Sequence, residues 1–210
     1  MRFMLATALS LITATTAIAG PVSFSSGWKE QRLSLFSSND YRFGNQLTMR
    51  SDGAVSIAWT ALPQSEWGAS GASWSWAVSQ SVPPTDLSRK GGDDRNLSIY
   101  FIFVPQDVAP SLAGKGIRSL AGRKDVSVIQ YAWGGNHAKG TVIQSPYGNG
   151  VTIPLRAAGT GSASETVNLN RDFARAFSGT KGALIGLAVS GDSDDTNSVI
   201  EASMSKLSLR

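Results

Sequence analysis

The sequence predicts an all-β protein, a two-sheet, jelly-roll-like β-sandwich with one short helix. Short strand-forming segments recur along the 210-residue chain, and most are bounded by Gly, Pro, Asn or Asp residues that favour turns. A convincing helical pattern occurs in one segment alone. Many short strands with turn signals and little helix are typical of sandwiches.

Two strand segments differ in the side chains that they present. Trp74, Trp76 and Val78 alternate with small residues, which predicts a strand with one apolar face and a shared core position for the two tryptophans. The segment 97–104 is apolar almost throughout, as in a strand covered on both faces. In order along the chain, the predicted strands are 46–50, 54–61, 71–78, 97–104, 127–133, 140–144, 150–154, 165–168, 184–190 and 198–209.

The helix is predicted over residues 170–177, with Asn170 as its N-cap and Gly179 after its end. The last strand alternates from Ile200 to Met204 and then changes parity at Leu207, which predicts a β-bulge near Lys206.

The first residues have the pattern of a secretory signal peptide. Arg2 precedes an apolar run that ends at Ala17 and Ala19, a pair typical of a cleavage site. We therefore expect a signal peptide over residues 1–19, one β-sandwich domain over residues 20–210, and a periplasmic or extracellular location. No later segment is long and apolar enough for a membrane span, so we expect no membrane insertion of the mature chain.

Composition narrows the function classes further. The chain has no Cys and one His, which argues against disulfides and transition-metal sites. Its net charge is +4, but the basic residues are scattered, without the dense basic and aromatic runs of nucleic-acid-binding proteins. We expect no nucleic-acid partner.

A set of ordered motifs indicates a family. The chain resembles the bacterial family known as domain of unknown function 3047, and the resemblance covers nearly the whole mature sequence. This resemblance implies an exported β-sandwich, similar in outline to carbohydrate-binding jelly rolls, and it implies no known reaction. It rests on the segments SDGAVS (51–56), WSWAV (74–78), TDL (85–87), KGGDDR (90–95), IYFIF (99–103), YAWGG (131–135), DFARAF (172–177) and AVSGDSDDT (188–196).

Charged side chains crowd the loop between strands 71–78 and 97–104, at a rim of the predicted sandwich. Sugar rings stack on aromatic side chains, while acidic, amide and guanidinium groups bind their hydroxyls. We therefore predict a ligand site formed by Asp86, Asp93, Asp94, Arg95, Trp133 and Tyr147.

A second acidic group follows strand 184–190. Asp192, Asp194 and Asp195 offer the carboxylate oxygens that calcium prefers, and they are the candidate metal ligands. A polar turn whose aspartates bind their own backbone amides is the more common use of this pattern. If strands 97–104 and 184–190 are antiparallel, Asp93, Asp94, Asp192 and Asp194 lie at the same end of the sandwich. Arg95, Lys90 or a cation must then offset their repulsion.

The sequence favours binding over catalysis. Outside the leader, the only glutamates are Glu30, Glu66, Glu165 and Glu201, and none lies in an alternating acidic motif of a glycosidase. We predict an exported non-catalytic binding protein for a polysaccharide or another envelope ligand, with no required cofactor and no catalytic residue. Two alternatives stay open: an enzyme acting on an envelope polysaccharide through an Asp-based or calcium-assisted site, and a structural envelope protein.

Overall fold

The computed structural model describes residues 20–210, so the predicted signal peptide lies outside the described residues. The chain forms two β-sheets that enclose one continuous apolar cluster. This confirms the all-β, two-sheet prediction. Within residues 20–210, none of the helices has the length and hydropathy needed to span a membrane.

The first sheet has seven strands in the order β1-β4-β11-β6-β7-β9-β8, and all its pairings are antiparallel except the parallel pair β7 and β9. These strands are β1 (Lys29–Arg32), β4 (Ser56–Ala61), β6 (Arg95–Val104), β7 (Ser127–Trp133), β8 (Ile143–Gln144), β9 (Gly150–Arg156) and β11 (Ala183–Asp192).

The second sheet has five antiparallel strands in the order β10-β5-β12-β3-β2. These strands are β2 (Asp40–Phe43), β3 (Leu47–Asp52), β5 (Gly71–Gln80), β10 (Gly161–Asn168) and β12 (Val199–Leu209). Thus β11 lies between β4 and β6 in one sheet, and β12 lies between β5 and β3 in the other.

The core between the sheets contains a cluster of large aromatic rings. Trp74 and Trp76 on β5 are buried, as their alternation predicts, and their ring centroids lie 5.5 Å apart in an edge-to-face arrangement. Tyr131 and Phe101 from the opposite sheet pack on Trp74 with centroid distances of 5.8 and 6.2 Å. The alternation on β5 therefore places both tryptophans at the interface of the two sheets.

The helices differ in detail from the sequence prediction, whereas the predicted bulge in the last strand is present. The principal helix α3 spans Leu169–Ala176, and its N-cap is Asn168, whose side-chain oxygen accepts a hydrogen bond from the Arg171 amide at 2.9 Å. Asn170 is thus inside the helix. Two further single-turn helices, α1 (Ala109–Leu112) and α2 (Ile117–Leu120), follow β6. The bulge near Lys206 is confirmed, because Lys206 has a φ of 53° and the pairing with β5 shifts register there.

The sequence prediction also missed two strands, β1 and β2. Both are edge strands with mostly exposed, charged side chains, so they show no apolar alternation. The predicted strand 140–144 is shorter in the structure, where pairing with β9 begins at Ile143.

Candidate functional site

The predicted convergence of the two acidic loops is present. Strands β6 and β11 are antiparallel, and Asp192 at the end of β11 pairs with Arg95 at the start of β6. Asp93 and Asp94 immediately precede Arg95, so both acidic groups lie at the same end of the seven-stranded sheet. The antiparallel pairing alone accounts for this meeting of residues that are about a hundred positions apart.

Arg95 is the centre of this arrangement. Its Nη1 donates hydrogen bonds to the carboxylates of Asp93 and Asp192, each at 3.0 Å, and its Nη2 donates to the Tyr100 hydroxyl at 2.9 Å. A register shift between Ser190 and Asp192 inserts an extra residue into β6 before Ser98. Because of this bulge, the side chains of Arg95 and Tyr100 lie on the same face of the sheet. In a regular strand, two residues five positions apart would lie on opposite faces.

Asp94 has a structural role in the site. It is fully buried, and its carboxylate accepts hydrogen bonds from the Thr196 amide at 2.7 Å, the Thr196 hydroxyl at 2.5 Å and the Asp195 amide at 3.4 Å. These contacts fix the loop that carries Asp194 and Asp195. Carboxylate oxygens of Asp94, Asp194 and Asp195 lie within 4.8 Å of one another, which makes them the group best placed for a cation. Asp194 and Asp195 of the predicted calcium set thus lie together with Asp94, and calcium binding by Asp192, Asp194 and Asp195 stays a prediction.

Asp192 has one carboxylate oxygen paired and one free. Oδ2 accepts from Arg95, whereas Oδ1 is buried and has no hydrogen-bond partner among the described residues. Burial raises the pKa of Asp192 to about 7, and the neighbouring carboxylates of Asp194 and Asp94 act in the same direction, while Arg95 opposes them. Arg95 does not restore the ordinary pKa of Asp192, because the loss of solvation on burial outweighs the attraction of the guanidinium group.

The raised pKa of Asp192 predicts a pH dependence of stability. Between pH about 4 and about 7 the folded protein holds a proton at Asp192 that the unfolded chain has released. The stabilisation from this proton is complete below that window and is lost as the pH rises through it. We expect the urea-unfolding free energy of the wild type to fall by about 3 kcal/mol more than that of Asp192→Asn across this window.

The exposed control Asp107→Asn removes an acidic group beyond the other end of β6, and its pH profile should follow the wild type. Parallel profiles for the wild type and Asp192→Asn would show that Asp192 is ionised throughout.

Tyr147 forms a wall beside the acidic groups. Its side chain is 59% exposed, yet its hydroxyl donates a hydrogen bond to Asp93 Oδ1 at 2.8 Å. Partial burial and this bond to Asp93 raise the pKa of Tyr147 to about 12, so the hydroxyl keeps its proton at neutral pH. The Lys90 ammonium lies 5.7 Å from the centre of the ring. Tyr147 therefore has a fixed hydroxyl and a ring available for contact.

The floor of the site is the outer face of the seven-stranded sheet, the side away from the five-stranded sheet. The strand register places Tyr100, Gln130 and Thr152 in one row across β6, β7 and β9. Gln130 accepts from the Thr152 hydroxyl at 3.0 Å and donates to Ser98 at 2.9 Å, and the Tyr100 and Ser190 hydroxyls are 2.8 Å apart. Polar groups on the four neighbouring strands β11, β6, β7 and β9 are thus held in place by one another.

Two adjoining cavities lie over this floor. The polar cavity has a volume of about 440 Å³, and its lining includes Asp93, Arg95, Asp192, Asp194, Asp195 and Tyr147. The apolar cavity, of about 240 Å³, is closed on one side by α2 and shares Ile57, Tyr100 and Tyr147 with the first. We call the two together the sheet-face groove. It offers fixed hydrogen-bonding groups and acidic charge at one end and apolar contact at the other.

Comparison with known proteins places the chain in a family. A family model described as "Protein of unknown function (DUF3047)" matches residues 26–208. The chain belongs to the DUF3047 family. No curated protein matches this DUF3047 chain.

Two solved structures are similar to the DUF3047 chain at low identity. One is the xyloglucanase domain of NopAA, a type three effector from Sinorhizobium fredii, in complex with cellobiose, with 9% identity, a TM-score of 0.47, and coverage of 91% of this chain and 97% of that one. The other is the K3 cleaved adhesin domain of Lys-gingipain from Porphyromonas gingivalis, with 12% identity, a TM-score of 0.37, and coverage of 90% and 93%.

Two predicted site residues of the DUF3047 protein lie elsewhere. Trp133 is 4% exposed, packs on Trp76 and donates its indole N–H to the Gly159 carbonyl at 3.0 Å, so its ring belongs to the core. Asp86 lies outside the groove lining, on an exposed loop, where it accepts from Ser88 and lies 3.3 Å from His137. The hydrogen bonds from Ser88 hold the pKa of Asp86 below its ordinary value.

Sequence reasoning missed the floor residues of the DUF3047 groove. Tyr100, Gln130, Thr152 and Ser190 lie in strands that are otherwise apolar. One sequence pattern could have revealed part of this floor. Ser98 and Tyr100 alternate with apolar residues, which places them on the face of β6 opposite to the core.

Proposed function

We propose that this protein is an exported, non-catalytic glycan-binding protein and that the sheet-face groove holds the glycan. The observation that carries the proposal is the floor of hydrogen-bonded polar groups, on four neighbouring strands, beneath a cavity of about 440 Å³ with an exposed tyrosine on its wall. That volume lies within the range of about 300–1,000 Å³ usual for ligand pockets.

The chemistry of a sugar suits both parts of the groove. Its hydroxyls both donate and accept hydrogen bonds, and Gln130, Thr152 and Ser190 offer both kinds of group. Its C–H faces are apolar and pack on aromatic rings, for which Tyr147 is placed at the boundary of the two cavities. A chain of sugar units would extend from the polar cavity into the apolar one.

The carboxylates favour binding over hydrolysis. A glycosidase needs one carboxyl group as acid and a second as base or nucleophile, each directed at the scissile bond. Here Asp93 and Asp192 share the same Arg95 nitrogen, and the second oxygen of Asp93 is bound by Tyr147. The proposal requires no cofactor and no catalytic residue. The pKa of Asp192 is the one feature that favours the Asp-based enzyme alternative.

A glycan array tests the proposal. The protein is expressed with its own leader and purified from the cell envelope, and N-terminal sequencing should return Gly20. We expect Tyr147→Ala to weaken binding of the array hits at least tenfold, because it removes the ring that faces both cavities. The matched control is Phe36→Ala, which removes a 97% exposed ring outside the groove lining and should leave affinity unchanged.

Other outcomes of the same experiment decide against the proposal. Shortened products after incubation with a bound oligosaccharide would favour the enzyme alternative. Binding that disappears with chelator would favour the calcium-assisted alternative. An array without hits, from protein that melts cooperatively, would favour the structural alternative.

A further inference from the structure

We propose that the glycan carries a free amine, and that its ammonium group binds between Asp192 and Asp194 in the polar cavity. The ligand class is then an amino sugar without its N-acetyl group. This inference rests on the proposed glycan-binding function and adds the charge of the ligand to it.

The polar cavity has an excess of negative charge. Four carboxylates line it, those of Asp93, Asp192, Asp194 and Asp195, and Arg95 is the single basic residue in the lining. The Lys90 ammonium group lies against the ring of Tyr147, which forms a wall of this cavity. Because like charges at close range repel, the cavity favours a positively charged occupant.

The pairing of each carboxylate shows where that occupant would bind. Asp93 is paired at both oxygens, with Arg95 and with Tyr147. Asp192 is only 9% exposed, and its Oδ1 has no partner among the described residues. An unpaired buried carboxylate oxygen is unfavourable, and a charged donor from a ligand removes that penalty. The free Asp192 oxygen is thus an observation independent of the acidic cluster.

Asp194 supplies the second contact. It lines the same cavity as Asp192, two residues further along the chain. Asp194 itself is exposed at the cavity, so a ligand has access to it. An ammonium group has three donors, two of which suit this carboxylate pair while the third remains for a floor hydroxyl.

An amine fits these groups better than calcium does. Calcium takes six to eight oxygen ligands. At this site Thr196 binds Oδ2 of Asp94, and Arg95 binds Oδ2 of Asp192. A calcium shell would need every remaining carboxylate oxygen of these aspartates, whereas an ammonium group needs two or three acceptors, which Asp192 and Asp194 supply.

The hydroxyl groups beside Asp192 and Asp194 indicate that the ammonium group belongs to a sugar. Ser190 lies two residues before Asp192 on the same face of β11 and is linked to the Tyr100 hydroxyl. Hydroxyl groups therefore adjoin the carboxylate pair, as they adjoin the amine in a hexosamine. A simple alkylamine has no hydroxyl groups with which to contact this floor.

The test uses matched oligosaccharides that differ at the nitrogen. Tetramers of β-1,4- and β-1,6-linked glucosamine are compared with their N-acetylated forms and with cellotetraose, by titration calorimetry at neutral pH, with calcium and with chelator. We expect a glucosamine tetramer to bind at least tenfold more tightly than its N-acetylated form, in both conditions. Asp192→Asn and Asp194→Asn should reduce that preference to less than threefold, while Asp107→Asn should retain it.

The results that overturn the inference are distinct from those that overturn glycan binding. Equal affinity for aminated, acetylated and nitrogen-free tetramers would remove the amine preference and leave glycan binding intact. Binding that needs calcium would replace the amine with the metal. A retained amine preference in both asparagine variants, with unchanged melting temperatures, would place the amine elsewhere. If no tetramer binds while the array has other hits, only the amino-sugar inference fails.

Discussion

Replacing Arg95 with methionine is expected to lower the free energy of unfolding by about 3–5 kcal/mol, since removing one partner of a buried ion pair leaves uncompensated charge. The change leaves Asp93 and Asp192 buried without their shared donor and removes the hydrogen bond to Tyr100. Chemical denaturation at neutral pH measures the loss.

Two variants isolate the cause of this loss. Arg123→Met removes another Asp-paired arginine, but the Arg123–Asp125 pair is exposed, so we expect a change of less than about 1 kcal/mol. The triple variant Arg95→Met, Asp93→Asn, Asp192→Asn should regain much of the stability, because the unpaired charges are gone. If Arg95→Met behaves like Arg123→Met, the site is solvated and the buried network is not a source of stability.

Truncation of Trp74 to alanine is expected to cost about 3–5 kcal/mol, the usual range for a fully buried large aromatic. Trp74 is 1% exposed and contacts Trp76, Phe101 and Tyr131, so both sheets lose packing. The melting temperature should fall by several degrees at least.

Phe36→Ala serves as the control, since the lost ring is exposed and the expected change is within about 0.5 kcal/mol. A near-wild-type melting curve for Trp74→Ala would mean that the two sheets are not held together by this aromatic cluster.

Local patterns in the sequence predicted the features that depend on strand periodicity. Trp74 and Trp76 lie two residues apart and share the core, and the parity change near Lys206 corresponds to a bulge. The meeting of Asp93 with Asp192 followed from one assumption, that two apolar strands are antiparallel. These inferences needed no knowledge of which sheet each strand joins.

Other features depend on long-range packing and could not be predicted from the sequence. Trp133 was predicted at the end of strand 127–133, beside the loop that begins at Gly134, but the opposite sheet covers its ring. The row of Tyr100, Gln130 and Thr152 exists only because β6, β7 and β9 are neighbours, and β7 and β9 are parallel. Nothing local in the sequence specifies that order.

The order of strands also has a consequence for how the protein is made. The last two strands of the chain, β11 and β12, are interior strands of the two sheets. Until the ribosome has synthesised both, β4 has no contact with β6, and β3 has none with β5, so neither layer can close. Native structure must therefore form after β11 and β12 have been synthesised, through contacts between distant segments that are slow to form. Nascent chains that stop before Ala183 should remain unfolded and protease-sensitive.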